Sequence, residues 1–188
     1  MKKFYLNIAL LCLFTALLYP QLDWTKHADN PVLSPSGLGS WDETSAIVNT
    51  VLFQEDIYKM WYEGDGGIGY ATSPDGINWT KDSLNPVIDR GNPGSWDDEE
   101  VMHPFVIYEN DTLKMYYNGH NRQTQRILYA TSIDGRNWNK YPSHPMLSPG
   151  FGGAWDSNEL GPLAVVHYEN LYHMWYTGWN LCSLKNTM

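Results

Sequence analysis

The chain has 188 residues, with 12 Lys and Arg against 21 Asp and Glu, a formal net charge of −9 and an aromatic share of 14%. So acidic a chain repels a phosphate backbone, which argues against nucleic acid as a partner. Its two cysteines are Cys12, inside an N-terminal apolar run, and Cys182, so no internal disulfide is expected in the mature chain and stability has to come from packing.

Lys2 and Lys3 precede an apolar run from Ile8 to Leu18, which Pro20 ends. The run is too short to cross a bilayer and matches a secretory signal peptide over residues 1–20, with a retained anchor as the alternative. The expected location is therefore secreted or periplasmic, with no membrane association once the signal is removed.

From residue 21 onward the chain is repetitive. Gly39-Ser40-Trp41-Asp42 recurs as Gly94-Ser95-Trp96-Asp97 and as Gly153-Ala154-Trp155-Asp156. Tyr58-Lys59-Met60-Trp61-Tyr62-Glu63-Gly64 recurs as Leu113-Lys114-Met115-Tyr116-Tyr117-Asn118-Gly119 and as Tyr172-His173-Met174-Trp175-Tyr176-Thr177-Gly178. The two motifs keep one phase: 96 − 41 and 115 − 60 are both 55, and 155 − 96 and 174 − 115 are both 59. A shared period in the fifties fits propeller blades better than a helical solenoid.

Within one unit the expected elements are four short strands. Ser45 to Gln54 is mostly apolar and reads as an inner strand buried on both faces. A polar turn at Glu55-Asp56 leads to Tyr58–Tyr62, which carries large apolar side chains on both faces and needs cover from two neighbours. Ile68 to Ser73 is the third strand, and Ser73-Pro74-Asp75-Gly76 reads as a type I turn, copied at Ser132-Ile133-Asp134-Gly135. Asn78-Trp79-Thr80 and Asn137-Trp138-Asn139 close their units. Asn85-Pro86-Val87-Ile88, like Asn30-Pro31-Val32-Leu33 and His144-Pro145-Met146-Leu147, then leads onward. No helix start followed by 3.6-residue periodicity occurs after the N-terminal run, so the class is all-β. The repeats fall at about 24–78, 79–137 and 138–180. Trp24-Thr25-Lys26 echoes Trp79-Thr80-Lys81 as the tail of a preceding unit. Two full units and most of a third leave blade faces and strand edges open. Truncation is the favoured reading, and self-association through those open edges the other.

In such a blade the inner strand starts at the face to which the second-to-third-strand loop returns. Three acidic segments would then meet at one mouth: Asp42-Glu43, Asp97-Asp98-Glu99-Glu100, and Asp156 with Glu159. They are joined by the loops Glu63–Gly67, His120–Arg126 and Thr177–Asn180. Carboxylates around an aromatic-lined funnel suit glycosidic cleavage, where one acts as acid and another as base or nucleophile. Asp42, Asp97 and Asp156 occur in every unit and read first as turn or cap residues, and the repeated tryptophans read first as packing. The unit-specific Glu43, Asp98, Glu99, Glu100, His103 and Glu159 are the sharper candidates.

These features resemble the five-bladed β-propeller glycosidases: the arabinanases and xylosidases of glycoside hydrolase family 43, the invertases and levansucrases, and the mannoside phosphorylases of family 130. The resemblance rests on Asn-Pro-Val-Leu before an acidic strand entry, aromatic second strands and Tyr-Ala-Thr-Ser-x-Asp-Gly-x-Asn-Trp, and covers Asp23 to Asn180. It implies about three blades of five, an oligo- or polysaccharide partner, a base on blade one, a modulating carboxylate on blade two and a general acid on blade three. Glu159-Leu160-Gly161-Pro162 is similar to the Glu-Gly-Pro of the acid, with one residue inserted. The base would be Glu43 or Asp42, and Asp98, Glu99 or Glu100 would modulate, because His103-Pro104 stands where the family has Asp-Pro. His103, Glu99, His120, Arg122 and Trp179 would contact substrate. No cofactor is expected, calcium entering by family resemblance alone. A non-catalytic carbohydrate-binding or structural propeller, or an inactive fragment, is the alternative.

Overall fold

A computed structural model of the chain describes residues 24–141 and 143–180. The signal-peptide reading at 1–20 and Cys182 lie outside the described residues. The chain divides into an N-terminal segment, residues 1–30, and a body, residues 31–188. In the first, the described residues form a turn closed by the Asn30 N–H to the His27 carbonyl at 3.3 Å, and Trp24-Thr25-Lys26 forms no strand.

The body is all-β. Strands β1 (Ile47–Gln54), β2 (Ile57–Glu63), β3 (Ile68–Ser73) and β4 (Thr80–Lys81) make one antiparallel sheet in sequence order. Strands β5 (Glu100–Glu109), β6 (Thr112–His120), β7 (Gln125–Ser132) and β8 (Asn139–Lys140) make a second, and β9 (Glu159–Tyr168) pairs with β10 (Leu171–Trp179) in a third. This is an incomplete β-propeller. The outer strand β4 lies just past the repeat drawn at 24–78 and pairs with β3 of the same sheet, Ala71 opposite Lys81.

The repeated motifs build one node per sheet. Asp42 is fully buried, and its carboxylate accepts from Lys81 Nζ at 2.5 Å and lies 3.4 Å from the Tyr62 hydroxyl. Asp97 receives Lys140 Nζ at 2.7 Å and Tyr117 at 3.2 Å, and Asp156 receives Tyr176 at 3.0 Å. Burial alone would raise the Asp42 carboxyl, but hydrogen bonds from Lys81, Ser36 and Ser40 and the Lys81 charge outweigh it and hold the group below its ordinary range. The adjoining tryptophan explains a glycine. A Cβ on Gly64 would sit 2.3 Å from the Trp41 ring, and one on Gly178 would sit 2.4 Å from Asp156 Cβ and 2.7 Å from the Trp155 ring.

The Asp-Gly turns match the expectation from sequence. Asp75 Oδ1 accepts the N–H groups of Ile77 and Asn78 at 2.9 and 2.8 Å, and Asp134 repeats this with Arg136 and Asn137. Gly76 and Gly135 take φ of 75° and 79°, which suits a residue without Cβ.

Sheets pack through equivalent positions. Trp61 is fully buried, with Nε1 donating to the Gly135 carbonyl of the second sheet at 3.0 Å. Thr50 Oγ1 donates to the Pro104 carbonyl and accepts from the Val106 N–H, tying β1 to β5. The position held by Trp61, Tyr116 and Trp175 is 0%, 5% and 58% exposed, while Val51, Val106 and Val165 run 43%, 2% and 2%. The first sheet is therefore open on its β1 side and the third on its β10 side among the described residues. That is why β1, read from sequence as buried on both faces, leaves Ile47, Val48, Val51 and Phe53 exposed.

Replacing Lys81 with Met strands the Asp42 carboxylate and is expected to cost about 2–3 kcal/mol, below the figure for a fully enclosed pair because Lys81 is partly exposed. A depressed aspartate stabilises above its unfolded value and loses that contribution as pH falls through the folded one. The gap between wild type and Lys81→Met should therefore be full at neutral pH and close below about pH 3.9. Thermal unfolding followed across pH 2–7 checks both, and a pH-independent gap would remove the ion-pair account. Separately, Gly64→Ala should destabilise by about 1–3 kcal/mol in urea titration, because Trp41 has to move.

Candidate functional site

The pairing register places the strand entries. Ile47 lies opposite Glu63, Glu100 opposite His120, and Glu159 opposite Trp179. Each inner strand thus begins beside the end of its second strand, and neighbouring sheets meet there. The Glu63 carboxylate accepts from the His103 backbone N–H at 2.8 Å and lies 3.6 Å from His103 Nε2. Asn118, the equivalent residue of the second sheet, reaches the Leu160 carbonyl of β9. Thr124 Oγ1 donates to the Asn158 carbonyl at 2.5 Å.

His103 owes its place to an irregularity. The β5–β6 register shifts between Met102 and Phe105, and His103 has φ of 53°, a left-handed conformation uncommon for a residue with a side chain. The bulge turns its N–H out of the ladder toward Glu63. Its Nδ1 is buried without a hydrogen-bond partner.

Between the first two sheets this geometry opens a cleft of ≈ 440 Å³. Carboxylates of Glu63, Asp65 and Glu100 line it, with Arg90, Ser45, Ile47 and Met102. Asp65 accepts from the Thr44 N–H at 2.7 Å, and from the hydroxyls of Thr44 at 2.5 Å and Ser45 at 3.1 Å. The Thr44 bonds come first in holding its carboxyl below the ordinary range. Glu100 is half exposed and lies 3.9 Å from His120 Nδ1.

The residues nominated from sequence separate into groups. Glu100 reaches the cleft, with His120 beside it and His103 behind Glu63. Asp42 does not reach it: the carboxylate is enclosed and committed to Lys81, which withdraws it from contact with a substrate. Glu43 and Asp98 hold equivalent places in the turns before β1 and β5, where they accept the Gly39 and Gly94 N–H groups at 2.9 and 2.7 Å. Glu99 pairs with Arg122, both on the surface. Glu159 is exposed at the entry of β9 with Trp179 opposite, and neither lines this cleft. Glu63 and Arg90 were not nominated. Glu63 closes a motif whose other residues are structural, and only its change to Asn118 and Thr177 in the later copies marks it out. Among the described residues no group of three or more His, Cys, Asp or Glu is arranged to hold a metal ion.

With this geometry in view, the fold is of the class found in β-propeller glycoside hydrolases. A solved glycoside hydrolase matches at TM-score 0.66 with 18% identity, over 81% of this chain and 48% of its own. A family 117 glycoside hydrolase from the marine bacterium Zobellia galactanivorans matches at 0.63 and 17%, over 77% of this chain and 51% of that one. A structure from the GH130 mannoside phosphorylases, described as containing glycoside hydrolases that target β-1,2 mannosidic linkages in Candida mannan, matches at 0.57 and 17%, over 81% and 52%. Among curated proteins, an A type blood N-acetyl-α-D-galactosamine deacetylase from Flavonifractor plautii is 26% identical over 66% of this chain and 18% of its own length. A Mycobacterium tuberculosis protein without assigned function is 26% identical over 64% and 42%. The chain thus spans about half the length of these solved structures and less than half of these curated relatives. No family model matches it.

If Glu43 and Asp98 are turn acceptors, Glu43→Ala and Asp98→Ala should each lower stability by about 1 kcal/mol. Urea unfolding reads this directly. Unchanged stability in both variants would return these carboxylates to the list of groups free to meet a ligand.

Proposed function

We propose that this chain is part of a carbohydrate-active hydrolase that cleaves glycosidic bonds, with Glu63 and Glu100 as the working carboxylates. The observation that carries the reading is the cleft between the first two sheets, lined by carboxylates from both, on a fold shared with glycoside hydrolases. Cleavage needs one carboxyl to protonate the leaving oxygen and another to act as base or nucleophile. Glu63 is held in one orientation by the His103 backbone N–H, as suits a group that must meet an anomeric carbon or its attacking water. Glu100, more open and beside His120, is the carboxyl assigned to protonate the leaving oxygen. The family resemblance implies Glu159 as the acid instead, but that residue stands one sheet further on and does not line this cleft. The partner is an oligo- or polysaccharide, and the N-terminal run supports an exported protein.

A second reading is favoured by the deacetylase among the curated relatives: hydrolysis of an acetamide on a sugar rather than of the glycosidic bond. One assay separates them. Full-length protein is incubated with aryl glycosides and with acetamido-sugar oligosaccharides, and released phenol and acetate are measured. Under the leading reading phenol appears, and Glu63→Gln and Glu100→Gln each lower kcat by about 10²–10⁴ while Asp98→Ala leaves it within a few-fold. Acetate without phenol would transfer the site to deacetylation. Sugar binding with neither product would mark a binding propeller.

A further inference from the structure

The connectors leading into successive sheets can be aligned through their bonds. Lys81 Nζ reaches the Ser34 carbonyl and Lys140 Nζ the Asp89 carbonyl. The N–H groups of Ser36, Gly91 and Gly150 donate to the carbonyls of Asp42, Asp97 and Asp156. The residue before each of these donors is Pro35, Arg90 and Pro149. Two connectors thus carry a proline where the one entering the second sheet carries an arginine, and that arginine lines the cleft. The frame needs no guanidinium there to hold the fold, as proline serves twice.

Arg90 is poorly employed by its neighbours. Its side chain lies over the Gly66 backbone, where a Cβ would come 2.2 Å from Nη2, and its contact is Nη2 to the Asp65 carbonyl at 3.4 Å. No ion pair involves it among the described residues, although Asp65 and Asp89 are close by. Asp65 is satisfied by Thr44 and Ser45, and Asp89 Oδ1 accepts the Arg90 backbone N–H at 2.7 Å. Beyond Arg90 a second hollow of ≈ 230 Å³ continues the first, sharing Asp65, Gly66 and Arg90 and adding Trp41, Gly67, Pro86 and Asp89. The continuous groove therefore has Glu63 and Glu100 at one end and an indole at the other, and between them a guanidinium that forms an ion pair with neither neighbouring aspartate, Asp65 or Asp89, among the described residues.

From this juxtaposition we propose that the groove takes an anionic saccharide, with the acidic group of one sugar residue on Arg90. The proposal rests on the carbohydrate reading of the same cleft. A guanidinium presents paired donors matched to a carboxylate or sulfate, and an indole face suits the neighbouring ring. A uronate and a sulfate ester share this chemistry, and the experiment distinguishes them. The anion sits in the hollow between Arg90 and Trp41, away from Glu63 and Glu100, so a neutral residue of the chain would face those carboxylates.

The test is calorimetric titration of the full chain with three matched oligosaccharides: neutral, uronate-containing and sulfated. Wild type is expected to bind at least one anionic form about tenfold more tightly than the neutral form, with the advantage shrinking as salt rises. Whichever acidic form shows the preference names the source. Arg90→Gln should abolish the preference and leave neutral binding unchanged. Arg90→Pro, the residue the other connectors use, should do the same and guards against a folding defect in the first variant. Equal binding of neutral and anionic forms by wild type, or a preference that survives both substitutions, would overturn the proposal while leaving the hydrolase reading intact. Absence of binding to every saccharide would overturn both.

Discussion

The structure depends on a buried aspartate at the head of each sheet. Asp42, Asp97 and Asp156 each follow the repeated tryptophan, and each ties the loop it sits on to the tyrosine of the second strand. In the two four-stranded sheets a lysine from the outer strand completes the node. One carboxylate thus fastens the entry loop, the second strand and the fourth strand. A buried charge is tolerable only when paired, so aspartate, lysine and tyrosine must recur together, and their spacing imposes the phase seen along the chain. The glycine two residues beyond the tyrosine is part of the same constraint, because the Trp-Asp pair lies directly against it.

The node also frees other positions. With the loop secured by the aspartate and by the turn bonds to Gly39 and Gly94, the residues at the end of the second strand need not serve the sheet they belong to. Glu63 and Asn118 both reach across to the next inner strand. The second-to-third-strand loop of the first sheet is short and glycine-rich, which leaves space above the join and lets Arg90 lie on bare backbone. At the next join Thr124 closes on the Asn158 carbonyl, and Arg126 covers the Trp96 ring at 4.6 Å. A common frame with unequal loops therefore yields an open groove at one join and a filled one at the other.

Sheet-to-sheet packing shows how one position changes meaning with its neighbours. Trp61 is enclosed because the Asp-Gly turn of the second sheet lies over it, whereas Trp175, at the same place in the repeat, has no such turn over it among the described residues. At the far ends of the inner strands, Glu109 gathers Lys114, His167 and Tyr172. The hydrogen bond from Lys114 leads in holding its carboxyl down to about 2. This cluster joins the second and third sheets at the end away from the groove.

The all-β class, the repeat phase, the Asp-Gly turns and the structural bias of the repeated aspartates were legible from residues alone, because each is a local requirement repeated in register. A turn needs its glycine and its side-chain acceptor wherever it occurs, and recurrence exposes the need. The candidate site was legible only in part. Glu100 stood out as a carboxylate specific to its unit, but Glu43 and Asp98 looked alike on the same ground and are turn acceptors. Glu63 was hidden inside a structural motif, and Arg90 inside a connector whose other copies carry proline. The sequence by itself determined what each unit must satisfy internally. Only the tertiary structure decided which side chains face one another across two sheets, because the bulge at His103 and the fan of the sheets bring together residues forty positions apart through contacts that no single unit contains.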